Sequence, residues 1–97
     1  MDEATLMEAA RYHMLAVLSG DRQGAMQDVV ENARTQAEPV FAALPPKVEE
    51  AEVMQVTQDA DQFVVEYNYI GGDTDVVVES VWQEQEGKPV IIGIRLS

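Results

Sequence analysis

The sequence has no cysteine, a single histidine, and only six lysines and arginines among 97 residues. Without cysteine there is no disulfide framework, thiol nucleophile or thiolate metal site, so the hydrophobic core must hold the fold unaided. The basic residues face eighteen acidic ones, for a formal charge of −12. A field of that sign repels phosphate backbones and anionic headgroups, so neither nucleic acid nor a membrane surface is an expected partner. No apolar run approaches the roughly 18 residues of a spanning helix. The opening Met1-Asp2-Glu3-Ala4 is acidic where a targeting segment is basic. A cytoplasmic location is the expectation. Phosphate-loop, His-Glu-x-x-His and Gly-x-Ser-x-Gly motifs are also missing. Asp59/Asp61 and Asp73-Thr74-Asp75 offer too few oxygens for a hard cation and suit hairpin turns, so no metal and no cofactor is expected.

What is present is a hydrophobic fraction of 46%, enough for one core, and the whole of 1–97 reads as one α+β domain. Leu6, Ala9, Ala10, His13, Met14, Val17 and Leu18 recur at helical spacing and predict an amphipathic helix over about 2–18. Ser19-Gly20-Asp21 supplies a left-handed stop and a cap for the next helix. The second helical pattern runs over about 21–44, through Ala25, Met26, Val29, Val30, Ala33, Ala37, Val40, Phe41 and Leu44. It keeps one phase across Pro39, where a kink or restart is expected, and Pro45-Pro46 ends it.

Beyond Lys47 the period changes from 3.6 to 2, giving strands at about 51–58, 62–70, 73–84 and 88–96 in an antiparallel meander. A two-residue Gly71-Gly72 turn pairs Tyr69 with Thr74, Tyr67 with Val76, Val65 with Val78 and Phe63 with Ser80. For the last hairpin a three-residue Gln85-Glu86-Gly87 loop is favoured, because a two-residue Glu86-Gly87 turn sets Trp82 beside Ile91 and splits the apolar set. An even-length loop near Asp59-Ala60-Asp61 places Met54 and Val56 beside Phe63 and Val65. The inner wall then holds these residues with Tyr67, Tyr69, Val76, Val78, Trp82, Val90, Ile92, Ile94 and Leu96. The outer face mixes Glu66, Asn68, Glu79 and Arg95 with Val64, Val77, Val81 and Ile91. Those four apolar residues form the expected surface of a homodimer.

Taken together, Leu18-Ser19-Gly20-Asp21, the long second helix, the meander from Val53 to Leu96, and the run Trp82-Gln83-Glu84-Gln85-Glu86-Gly87-Lys88-Pro89-Val90-Ile91 resemble the cystatin-like superfamily. Within it the chain looks most like nuclear-transport-factor-two-like (SnoaL-like) domains. The resemblance implies a curled sheet wrapping a long helix, with the first helix closing the open side. The larger enzymes of that superfamily have an extra helix and strand that deepen a cone-shaped pocket. No counterpart of those parts is visible in this sequence.

His13 lies near the centre of the first helix's apolar stripe and should face the sheet. It is the one candidate catalytic residue. An imidazole held there can serve as a neutral base, or simply as a hydrogen-bonded core residue. Tyr67 and Tyr69 point inward and can bind a ligand carbonyl or cap the core. With Trp82 they and His13 outline the expected ligand-binding wall. Superfamily isomerases and dehydratases pair tyrosine or histidine with a pocket carboxylate, but the inward strand positions hold no Asp or Glu, save Glu52 at a frayed start. The expectation is therefore a small non-catalytic domain that self-associates, with a helix–sheet cavity suited to a small hydrophobic ligand. Two rivals stand beside it. One is a small isomerase, dehydratase or hydrolase with His13 as base, which requires an open pocket and a carboxylate near that ring. The other is an acidic adaptor or inhibitor that docks on a basic protein.

Overall fold

A computed structural model describes all residues, Met1–Ser97. The elements run α1 (Glu3–Leu18), α2 (Arg22–Gln27), a 3-10 turn (Glu31–Ala33), α3 (Arg34–Ala42), then β1 (Glu50–Asp59), β2 (Gln62–Gly71), β3 (Thr74–Gln85) and β4 (Lys88–Leu96). The strands form one antiparallel sheet in the order β1-β2-β3-β4. No helix is long and apolar enough to cross a membrane.

Local chemistry sets the helix ends. Asp2 caps α1 by accepting from the Thr5 N–H at 2.8 Å. Hydrogen bonds from Thr5, side chain first and backbone second, hold the Asp2 carboxyl below its usual range. At the other end Gly20 takes φ +84, and the Asp21 N–H reaches the Ala16 carbonyl at 2.8 Å while Gly20 bonds Val17. This is a Schellman stop. Asp21 then accepts from Gly24 N–H at 2.9 Å and starts α2.

The long second helix expected over 21–44 is instead three pieces, and the break falls at Asp28–Val30, not at Pro39. Backbone bonding to the sheet wins there. Val30 N–H donates to Ile91 O at 2.9 Å, and Ile91 N–H donates to Asp28 O at 2.8 Å, so Val29 forms a short parallel bridge with β4. The β-branched Val29 and Val30 give up little by leaving the helix. Pro39 sits inside α3 without ending it. The C-terminus of α3 is covered by Arg22, whose guanidinium donates to Phe41 O at 2.8 Å.

Two hairpin registers differ from those expected. The β2–β3 turn is Gly72-Asp73, with Gly72 at φ +60, so Tyr69 pairs with Val76, Tyr67 with Val78, Val65 with Ser80 and Phe63 with Trp82. The slip is by two residues, which leaves every side chain on its expected face. The β3–β4 turn is the two-residue Glu86-Gly87, both at positive φ, and Trp82 does pair with Ile91. A β-bulge between Val81 and Trp82 absorbs the conflict by inserting Ile92, after which Ser80 pairs with Ile94. Ile91 and Ile94 are thus buried, while Val90 and Ile92 are only half-buried and Leu96 is exposed. A second bulge between Val53 and Gln55 turns Met54 out to solvent and puts Val53 opposite Tyr67. Both bulges curl the sheet around the helices. The core between them contains Leu6, Ala10 and Val17 of α1, Ala37, Val40 and Phe41 of α3, and Phe63, Val65, Tyr67, Tyr69, Val78 and Trp82 of the sheet.

Candidate functional site

The structure brings His13, Tyr67, Tyr69 and Trp82 together under α1. His13 projects from the buried stripe of that helix, and its ring centroid lies 5.8 Å from those of both Tyr67 and Trp82, edge-on to the indole. Phe41 of α3 flanks it at 6.3 Å, and Tyr67 stacks on Tyr69 at 5.8 Å. All four residues are 0–1% exposed. At the base of the group Ser80 Oγ donates to the Tyr67 hydroxyl oxygen at 2.9 Å, and Trp82 Nε1–H reaches that same oxygen at 3.0 Å and Ser80 Oγ at 2.9 Å. Tyr69 differs, since its buried hydroxyl has no partner.

Burial pushes the Tyr67 phenol well above its ordinary range, against the opposing pull of the hydrogen bonds from Ser80 and Trp82. Burial does the same to Tyr69, with nearby Tyr67 adding to it. Neither phenol ionises at physiological pH.

A functional group that the sequence reading missed is Asp28. Its Oδ2 lies 2.9 Å from His13 Nδ1. A carboxylate only accepts, so Nδ1 is the donor. Asp28 sits in the α2–turn break, and the backbone bond from Ile91 fixes it there. An unbroken helix would have pointed it elsewhere. The available signal was local: an aspartate followed by two β-branched residues, Val29 and Val30, is poor helix and a good place for one to stop.

The expected cavity is absent because side chains fill it. Four surface depressions exist, and none is lined by His13, Tyr67, Tyr69 or Trp82. One lies on the outer face of the sheet, around Gln55, Thr57 and Glu66, and another runs from that face at Val64, Val81 and Gly93 to Gln36 of α3. Of the residues expected on that face, Val64, Val77 and Val81 are there and half-buried. Ile91 is not; the two-residue Glu86-Gly87 turn sets it opposite the inward Trp82, and it is fully buried against the Asp28–Val30 segment. Half-buried Val90, opposite Gln83, and Ile92 at the bulge accompany the valines in its place. The face also carries an ion pair, Arg95 to Glu79 at 2.9 Å. No group of three His, Cys, Asp or Glu side chains is placed to hold a metal ion.

No protein-family model matches the chain, and no curated protein matches it in sequence. Solved structures do match its shape. An NTF-2 like protein of unknown function from Burkholderia xenovorans LB400 superposes with a TM-score of 0.66 at 18% identity, over 98% of this chain and 84% of that one. A designed NTF2 protein superposes with a TM-score of 0.67 at 12% identity, over 99% of this chain and 100% of that one. The fold is therefore nuclear-transport-factor-two-like, as the motifs of the sequence implied.

Proposed function

We propose that the chain is a non-catalytic, self-associating domain that dimerises through the outer face of its sheet. The observation that carries this is the contrast between the two faces. The inner face has no free space, whereas the outer face leaves Val64, Val77 and Val81 half-buried beside two depressions. The nuclear-transport-factor-two-like fold often forms a ligand-binding cone. Here the corresponding interior is occupied by the aromatic group, and a ligand at His13, Tyr67, Tyr69 and Trp82 would need α1 to lift off the sheet. The closed domain is read as free of ligand.

Sedimentation velocity tests the proposal. The wild type should form a dimer, and Val81→Glu should weaken it by at least about tenfold, since a charge at the centre of such a patch stays desolvated and unpaired. A wild type that remains monomeric at all concentrations, or a Val81→Glu dimer as tight as the wild type, would overturn it.

A second reading is favoured by one specific observation, the carboxylate 2.9 Å from His13. A His–Asp pair of this kind is suited to acid–base work on a carbonyl compound. The His13 ring is buried and lines no surface depression, while the Asp28 side chain is 36% exposed, and this closed ring supports the pair as a structural one. With a single histidine in the chain, diethyl pyrocarbonate distinguishes the two readings. An inert ring fits the closed core, and rapid modification of the folded protein would favour the catalytic reading.

A further inference from the structure

Helix α1 has two faces. Leu6, Ala10, His13 and Val17 are buried against the sheet. On the opposite side Ala4, Met7, Glu8, Arg11, Tyr12 and Leu15 line a shallow surface depression of their own. Tyr12 is 70% and Leu15 50% exposed, two of the few large apolar side chains left in solvent. Glu8 and Arg11 make no ion pair within their own chain, whose three salt bridges lie elsewhere. Met7 alone of the six leans on the core, at the margin of the strip; Ala4, Glu8, Arg11, Tyr12 and Leu15 are exposed.

The spacing of the six residues says what fits on them. When a second α1 is laid antiparallel across the first, with a two-fold axis between Glu8 and Arg11, Glu8 meets the partner's Arg11 and Arg11 meets the partner's Glu8. By the same operation Met7 meets the partner's Tyr12, and Ala4 meets the partner's Leu15. Every charge finds its opposite and every apolar residue an apolar one. Such self-complementarity is what an isologous contact demands, and the small side chain of Ala4 leaves room for helices packed about 8–10 Å apart. By helical phase the strip centres on the side of α1 opposite Leu6, Ala10, His13 and Val17.

We propose that the solvent side of α1 is a second self-association surface, formed by antiparallel pairing with α1 of another copy of this chain. It is separate from the outer sheet face and does not depend on it. One helix face is small by the standard of stable interfaces, so the contact is a weak one that forms at high concentration or supplements another. With two distinct isologous surfaces, protomers would assemble beyond the dimer, into closed tetramers if the axes meet and open chains if they do not.

Charge exchange tests the pairing. In the Val81→Glu background, which removes the outer-face contact, concentration-dependent association should persist in sedimentation equilibrium. Adding Arg11→Glu should weaken it by about threefold to thirtyfold, because two exposed ion pairs become repulsions. Adding Glu8→Arg to that variant should restore it, since the exchanged charges are complementary again. Both positions are exposed, so circular dichroism should find the fold unchanged. As a geometric check, a mixture of Ala4→Cys and Leu15→Cys proteins should form an intermolecular disulfide faster than either alone, in a chain that otherwise has no cysteine. Monomeric behaviour of the Val81→Glu protein at every concentration, association indifferent to Arg11→Glu, or failure of the double exchange to restore it would each overturn the proposal. Failure of the outer-face dimer instead shows in the wild type's response to Val81→Glu.

Discussion

Tyr67 and Tyr69 lie on the same face of β2, each fully buried, yet their hydroxyls are in opposite positions. The Tyr67 oxygen accepts from both Ser80 and Trp82, whereas the Tyr69 hydroxyl is buried without a partner. Removing the first leaves Trp82 with Ser80 Oγ as its acceptor and Ser80 with only the Val65 carbonyl at 3.5 Å, and Tyr67→Phe should cost about 1–2 kcal/mol in a urea titration. Removing the second deletes an unpaired polar group, so Tyr69→Phe should be neutral or stabilising. Equal losses for both variants would contradict the hydrogen-bond assignment. The same burial gives a pH response. Folded-state ionisation of both phenols is pushed above the ordinary value of 10.0, so above that pH the unfolded chain sheds protons that the folded one keeps. Stability should be unaffected by these groups below about pH 9 and fall as pH rises through 10, more gently in Tyr69→Phe than in the wild type.

At the scale of elements the backbone decides what side-chain pattern cannot. Gly71 ends β2, and a Cβ there would run into the carbonyl oxygen of Lys47 and into Pro45, on the segment that links α3 to β1. Gly72, one residue on, has open space around it and only its φ of +60 to protect. Gly71→Ala should therefore cost about 2–4 kcal/mol in thermal or urea unfolding, as for other overpacked core sites, and Gly72→Ala about 1 kcal/mol. The reverse order would mean that the link packs elsewhere. Strand existence, strand facing and the α1 stop were legible in the sequence because each rests on local periodicity or a glycine at a cap. The bulges at Met54 and Ile92 were not, since a bulge is invisible until the partner strand is known. The Met54 bulge turned that side chain out, while the two-residue Glu86-Gly87 turn brought Ile91 from the expected outer face to the core and the Ile92 bulge kept Ile94 there. The break at Asp28–Val30 was hidden for a related reason: the apolar phase continues through it, and the bonds that hold it come from β4. His13, Tyr67, Tyr69 and Trp82 could thus be placed together from pattern alone, while Asp28, delivered by a tertiary contact, could not.

For the molecule as a whole, self-repulsion dominates the electrostatics. Twelve uncompensated negative charges are spread over a body of 37 × 24 × 20 Å, and the ion pairs Met1 to Glu84 and Arg95 to Glu79 are all that relieve them. At about 0.01 M salt the screening length is about 30 Å, so most of the charges act on one another, whereas near 1 M it falls to about 3 Å. The melting temperature should therefore rise with sodium chloride, by several degrees if about 1 kcal/mol of repulsion is screened in a domain of this size. A fall would mean that these two pairs outweigh the net charge. Salt also separates the two proposed contacts. Stacking outer faces brings Glu66 and Glu79 of one copy toward those of the other, so that contact should tighten as salt rises. Screening of the net charge favours both contacts, but the α1 contact also loses its Glu8 and Arg11 pairs of opposite sign as salt rises, so it should gain less. Association in the Val81→Glu background should thus strengthen less between low and high salt than the wild type's dimer does, and an equal gain for both would mean that the Glu8 and Arg11 pairs do not hold the α1 contact.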